Sequence, residues 1–346
     1  MDGLAGLLDG PRARGAFLLR ILLDAPWSVR LEDEAPLSVT AVVRGHLWVC
    51  ADDQDPVRLE AGDVVVRVGR DHWRIADDPA TPDQIVIHPG QLCTTVDGHV
   101  VVEEMGQGVR SWGNSKVGET VLLTGVYLLE GEVTRRLLRA LPRLLVLRAH
   151  ELDTPLIDLL GQEVVRDAPG QEAVLDRLLD LLLITLLRTW FDRPQSDPPA
   201  WYAAQGDPVV GPALRLMQHH PEHPWTVAEL ADRAGVSRAA FARRFTDLVG
   251  EPPMTFLTGW RIALAADLLL EPDATIATVA RQVGYATPFA LSAAFKRERG
   301  VSPRDHRRRG AEVATGQARV TRSTTESTRG GRRKAARGSA WTTRTS

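Results

Sequence analysis

Only two cysteines, Cys50 and Cys93, occur in the 346 residues of this chain. So few argue against a disulfide-stapled scaffold and fit a reducing compartment. Long apolar runs are missing too. The longest, 181–187, is far shorter than the roughly 20 residues a membrane-spanning helix needs. No basic, then apolar, then small-residue leader opens the chain. These features predict a cytoplasmic protein with no membrane partner. Neither a Ser/His/Asp arrangement nor a glycine-rich phosphate loop is present, so the sequence suggests no nucleophilic or nucleotide-handling centre and no cofactor.

What is present shows itself when the chain is divided. The formal net charge is −2, but residues 1–224 carry 21 Lys+Arg against 33 Asp+Glu, and residues 225–346 carry 21 against 11. An acidic front and a basic back imply that the back meets a polyanion. With 44% hydrophobic residues, the length suits two cored domains plus tails.

The basic part contains one helical module written twice. In the first copy Thr226, followed three residues later by Glu229, has the form of a capping box. Leu230 and Ala231 are expected to face inward, Gly235 to break the helix, and Ser237 to cap a second one. Helix, short glycine-containing turn, helix is the grammar of a helix-turn-helix. The second copy starts at Thr275: Ala280 answers Ala231, Gly284 answers Gly235, Phe295 answers Phe245, Gly300 answers Gly250 and Pro303 answers Pro253. The offset is 49 residues up to the turn and 50 from the phenylalanine on, so one residue is added after the second turn. There Thr287 is placed to cap, with Pro288 at the first helical position. Between the copies, Phe256–Leu270 reads as one connecting amphipathic helix with Leu257, Trp260 and Ile262 on its apolar side.

Gly284-Tyr285, Phe295-Lys296-Arg297 and Gly300-Val301-Ser302-Pro303 with Arg307 resemble the end of the DNA-binding domain of AraC/XylS family transcription regulators. The likeness covers 225–309, with His306 standing where the family usually has Tyr. It implies double-stranded DNA as a partner, and RNA polymerase too if the protein is an activator.

Ahead of this region the pattern is of short strands, at Leu18–Leu23, Trp27–Leu31, Ser38–Val43, Leu47–Cys50, Asp63–Val68 and Gln84–His88, separated by Pro/Gly/Asp clusters. Such spacing predicts an all-β sandwich or barrel. The run from Leu59 to Val66 with His72, the set Leu22, Asp24, Pro26, Trp27 and Ser28, and His88-Pro89-Gly90 resemble the AraC-type cupin. Val121–Leu129 is predicted as its last strand. Helices follow at Thr134–Leu141, at Thr154–Val165 and at Gln171–Phe191, whose leucines cover more than one packed face and so suggest dimerisation. A Pro-rich linker and a helix at Pro208–His220 lead onward. After 310 the Ser/Thr/Gly/Arg-rich sequence cannot bury enough surface to fold.

The expectation is therefore an α+β multidomain chain: a cupin-like β-barrel sensor (1–130), a helical dimerisation segment (131–192), a linker (193–207), an all-α domain of two helix-turn-helix units (208–309, with units at about 226–249 and 275–299) and a disordered basic tail (310–346). A homodimer responding to an unidentified small-molecule effector is what the resemblance implies.

In a helix-turn-helix the early, outward residues of the second helix reach base edges. In the first unit these are Ser237, Arg238, Ala239, Ala242 and Arg243; position in the motif of the family it resembles implies Arg243 as the guanine reader, with Arg238 and Arg244 expected on phosphates. In the second they are Thr287, Pro288, Phe289, Ser292 and Lys296. Where the family it resembles commonly has a polar or Arg reader this chain has Ala293, which leaves either apolar contact with thymine methyls or backbone anchoring by Thr287, Ser292 and Lys296.

The rival reading is a cupin-type metal-dependent enzyme, or a redox sensor, fused to a DNA-binding module. Cupin metal sites take two His close on one strand, a Glu and a further His. Here His46 stands alone, Trp48 occupies the second His position, and only His72 matches the later strand, so no metal is expected. Cys50 and Cys93 form a reversible redox pair only if the barrel brings them together.

Overall fold

The computed structural model describes residues 17–51, 53–127, 141–194, 196, 198–271 and 273–308. The helix expected from Thr134 and the tail from 310 on lie outside the described residues.

Strands β1 (Phe17–Leu23), β2 (Ser28–Leu31), β3 (Leu37–Arg44), β4 (His46–Ala51), β5 (Gln54–Glu60), β6 (Val64–Val68), β7 (Trp73–Ala76), β8 (Ile85–His88), β9 (Leu92–Thr95), β10 (Gly106–Gly108), β11 (Ser111–Trp112), β12 (Thr120–Tyr127) and β13 (Leu144–Leu147) form two facing sheets. One runs β10-β11-β1-β12-β3-β6-β13 and the other β5-β4-β7-β2-β8-β9. Sequence neighbours such as β3 and β4 lie in different sheets, so the chain shuttles between the layers and wraps a single interior. Ile21, Val42, Val65 and Leu122 fill that interior from the larger sheet, and Val29, Leu47, Val49, Leu59, Trp73 and Ile75 from the smaller.

Two strand expectations need correction. Val121–Leu129 is not the last strand, because Leu144–Leu147 returns to pair antiparallel with β6. The Asp/Pro cluster around Pro56 is not simply a turn, because β5 runs through it at the edge of its sheet, where a proline's missing N–H does no harm. The central strands also depart from simple alternation. Leu37–Val42 is buried at every position, since one face lines the interior and the other lies beneath helices.

Those helices are α1 (Leu156–Glu163) and α2 (Gln171–Phe191). Thr154 accepts a hydrogen bond from the Leu156 N–H at 3.3 Å, and Pro155 is the residue just before the helix. From α2, Leu175, Leu179, Leu182, Leu183, Leu186, Leu187 and Phe191 are buried. Gly125 of β12 makes room for this packing, because a Cβ there would stand 2.6 Å from Leu179 Cδ1. Most of the leucine face is thus covered by the chain's own sheet. The apolar residue left over is a narrower stripe, with Val174 45% and Leu181 50% exposed.

The expected linker is not a free spacer. Arg193 donates to Glu151 at 2.6 and 2.9 Å and stacks over Trp190. Beyond it α3 (Ala200–Ala203) buries Trp201 and sets Tyr202 against Phe191, ring centroids 4.5 Å apart. Two large aromatic rings amid polar and proline residues give this segment its own reason to pack. Next comes α4 (Val210–His219). No helix among the described residues is long and apolar enough to cross a membrane.

The C-terminal helices are α5 (Val227–Arg233), α6 (Arg238–Val249), α7 (Pro253–Leu268), α8 (Ile276–Gln282) and α9 (Pro288–Arg299), with a last helical turn at 303–308. Leu230, Ala231, Phe241, Phe245, Phe256 and Trp260 belong to a core continuous with α4, Trp201 and α2. Ile262, Ala265, Leu269, Val279, Ala280, Leu291 and Phe295 form a separate one. His306 sits edge-on to Phe295 and bonds the Ala266 carbonyl through Nε2 at 3.0 Å, so it serves as a packed, hydrogen-bonding ring at the position where the resemblance puts Tyr.

The two turn glycines adopt positive φ for the same reason but in different surroundings. At Gly235 (φ +68) a Cβ meets open space, whereas at Gly284 (φ +77) it would stand 2.5 Å from the Pro221 carbonyl oxygen and 2.7 Å from Arg261 Nη2. Gly235→Ala is expected to cost only the left-handed backbone penalty, about 1–2 kcal/mol. Gly284→Ala should cost distinctly more, seen as a larger fall in Tm when the two variants are melted in parallel.

Candidate nucleic-acid interface

Four short side chains set the starts of the four helices of the paired units. Thr226, Ser237, Thr275 and Thr287 each accept a hydrogen bond from the N–H three residues on, at 3.1, 3.2, 3.1 and 3.1 Å. Each such cap contributes about 1 kcal/mol and fixes where the helix begins, hence which residues lie in its first turn. Accepting that bond leaves the hydroxyl protons of Ser237 and Thr287 free to donate to a phosphate. Glu229, expected to complete a capping box, turns instead to His223 at 3.0 Å and Arg233 at 3.2 Å.

In α6, Phe241 and Phe245 point fully into the core, and Arg238, Ala239 and Arg243 are exposed on the other side. Ala242, expected beside them, is half-buried. Neither Arg238 nor Arg243 is held by a side-chain partner among the described residues. Arg244 is different. It donates through Nε and Nη2 to both oxygens of Asp207, at 2.6–3.1 Å. That carboxylate also accepts the Val209 and Val210 N–H groups at 2.9 Å, capping α4. Arg244 therefore braces α6 against α4, its Nε and an Nη2 N–H committed to Asp207 instead of to the phosphate contact expected of it.

In α9, Leu291, Ala294 and Phe295 are buried, while Phe289, Ala290, Ala293 and Lys296 are exposed. Pro288 is half-buried at the first position. Ser292 gives its hydroxyl proton to the Pro288 carbonyl at 2.8 Å, so it presents no free donor for the backbone anchoring expected of it. Lys296 keeps an unengaged ammonium among the described residues.

One residue that the sequence did not single out orients the units. Arg261, on α7, donates to the Pro221 carbonyl and the His223 carbonyl at 2.7 Å each, while its guanidinium lies against Gly284. The segment entering the first unit is thereby tied to the turn of the second. A lone Arg beside Trp260 in an apolar helix was the available signal, but nothing in the sequence names its carbonyl partners. Asp207 was likewise missed; an Asp just before a helix marks a cap, whereas its pairing with Arg244, 37 residues on, exists only in the fold.

A family model described as Cupin matches residues 2–192, and one described as a helix-turn-helix domain matches residues 230–309. A putative AraC-like transcription regulator of Streptomyces lividans is 32% identical, over 89% of this chain and 98% of its own length. One from Streptomyces antibioticus is 30% identical, over 89% and 99%. The HTH-type transcriptional regulator AlkR of Acinetobacter baylyi is 26% identical, over 89% and 99%. The chain belongs to the AraC-type transcription regulators. As a member of that family it is a DNA-binding regulator with an N-terminal cupin domain, and end-to-end likeness to named regulators sets aside the enzyme alternative.

The regulator's two cysteines do not form a redox pair in this fold. Cys50 lies on β4 and Cys93 on β9, four strand spacings apart in one sheet, or about 19 Å along it, against the roughly 6 Å between Cα atoms that a disulfide requires. Burial raises both thiols, Cys93 to about 11, which keeps them protonated and unreactive. The regulator's barrel histidines engage neighbours individually: His46 the Asp77 carbonyl, His88 Thr94 and Glu32, and His99 Glu104.

The Arg244 hydrogen bonds stabilise the charged form of Asp207 and hold its carboxyl down at about 2, below the ordinary 3.8 of a free aspartate. A depressed carboxylate contributes stability above its unfolded pKa and loses it as pH falls through the folded one. Asp207→Asn should therefore melt lower than wild type at neutral pH, and the gap should close between about pH 4 and about pH 2. In DNA titrations Arg244→Ala should leave the slope of log affinity against log salt unchanged, whereas loss of a true phosphate contact would make it shallower by about one.

Proposed function

We propose that this regulator is an effector-responsive homodimer that reads DNA mainly through its first recognition helix. The observation that carries this reading is the contrast at one equivalent position: exposed, unengaged Arg243 on α6 against Ala293 on α9. A planar guanidinium matches the O6 and N7 acceptors of guanine, and an alanine offers no hydrogen bond. Arg238 and Lys296, together with the hydroxyls of Ser237 and Thr287, supply phosphate contacts that position the two units without reading sequence.

Dimerisation is supported by what α2 leaves uncovered. Val174, Leu178, Leu181 and Thr185 recur at intervals of four, three and four residues, the spacing of a seam between two helices. Sensing belongs to the barrel, whose interior carries Trp73 and Trp112 indole N–H groups that are buried without a hydrogen-bond partner among the described residues. These donors favour a polar effector. In this reading the protein acts in the cytoplasm, and contact with RNA polymerase follows if the outcome is activation.

Arg243→Ala should flatten base preference at one or two operator positions and weaken specific binding by roughly tenfold or more, since a bidentate Arg–guanine pair discriminates by about 1–3 kcal/mol. Lys296→Ala should weaken specific and random DNA by similar factors. Binding to a panel of single-base operator variants at fixed salt checks both. Full preference retained by Arg243→Ala would show that the reader is elsewhere. The dimer is tested in the whole chain: Leu181→Asp, at a half-exposed position, should fold normally but scatter light as a monomer at micromolar concentration. A dimer that survives this change does not use α2.

A further inference from the structure

The second recognition helix presents a hydrophobic ring to solvent where a reader belongs. Phe289 is 85% exposed, well above any other large apolar side chain among the described residues. It shares a stripe with Ala293 and Lys296, at i, i+4 and i+7, on the side of α9 away from buried Leu291 and Phe295. By the 50-residue offset, Phe289 corresponds to Ala239 and Ala293 to Arg243. The two helices have therefore exchanged large and small: the first unit has a small residue followed by a long polar reader, the second a large apolar residue followed by a small one.

Phe289 has no hydrogen-bonding group, so only one feature of the major groove matches it. Among the four bases, thymine alone displays a methyl group there, on C5. The exposed ammonium of Lys296 on the same stripe, in a chain half that carries ten more cations than anions, favours a polyanion over an apolar protein surface as the occupant. We propose that Phe289 reads the C5-methyl of thymine. This rests on the reading that α9 enters the major groove. Its chemical corollary is that 5-methylcytosine, which places the same methyl at the same position of the groove, is accepted by this unit in preference to cytosine.

The experiment begins with an operator selected from random duplexes by the purified whole protein. Each thymine of that operator is then replaced in turn by deoxyuridine, which removes the methyl and leaves pairing intact. Where Phe289 touches a methyl, affinity should fall about threefold to fivefold per group. Cytosine at the same position should be weaker still, and 5-methylcytosine should recover part of the loss. Phe289→Ala should bind the thymine and uracil duplexes equally, while Phe289→Leu keeps part of the difference. The exposed position makes both variants foldable. If the protein selects an operator but deoxyuridine is neutral at every position, the inference fails while the DNA reading stands. If no sequence is selected, both fail. If Phe289→Ala leaves the thymine–uracil difference unchanged, another residue reads the methyl and the inference fails.

Discussion

Two helix-turn-helix units can read one stretch of DNA only if something holds them in register, and here α7, packed into both cores, carries Arg261, which ties them further. Its two 2.7 Å bonds go to carbonyls of the segment leading into the first unit, and its guanidinium lies against the turn glycine of the second. A cation half-withdrawn from water is stabilised by such bonds, since carbonyl oxygens replace the hydration it loses. Main-chain oxygens make firm partners because their positions are set by the fold rather than by a rotamer. Gly284 is part of the same device, for any side chain there would occupy the space of the clamp.

The two units are nonetheless embedded differently. The first shares a core with α4, Trp201, α2 and the outer face of the larger β-sheet, and the Asp207–Arg244 pair adds a polar strut to that packing. The second has its own core, built on the far end of α7. The cupin end and the unit carrying Arg243 are thus joined by continuous close packing. The unit carrying Phe289 packs on the far end of α7 and meets the Arg261 clamp. The exposed Arg243 and the core shared with the cupin domain fall on the same helix.

Charge distribution completes this division. The acidic front discourages nonspecific contact of the barrel with DNA, and the basic back attracts it. Two cations of the recognition helices are engaged within the fold, Arg244 with Asp207 and Arg297 with Glu298 at 3.0 Å. Attraction to DNA therefore follows from the surplus, while placement of the free groups follows from the caps at Ser237 and Thr287.

Much of this was legible in the sequence, for a physical reason that recurs. Caps, turn glycines and helical periodicity act between residues a few positions apart, so Thr226, Ser237, Gly235, Gly284 and the full extent of Gln171–Phe191 could be read directly. The duplication exposed Arg243 and Phe289 in the same way, because a fixed offset turns one helix into a template for the other. What tertiary structure alone decided lies between residues distant in the chain. Pairing of Arg244 with Asp207, the clamp of Arg261, the return of β13 onto β6 and the separation of Cys50 from Cys93 depend on how elements meet in space, and local periodicity carries no information about that. The leucines of α2 show the boundary most clearly: their spacing by itself determined a helix with a wide apolar face, and only the sheet beneath, opened at Gly125, decided that most of that face is turned inward.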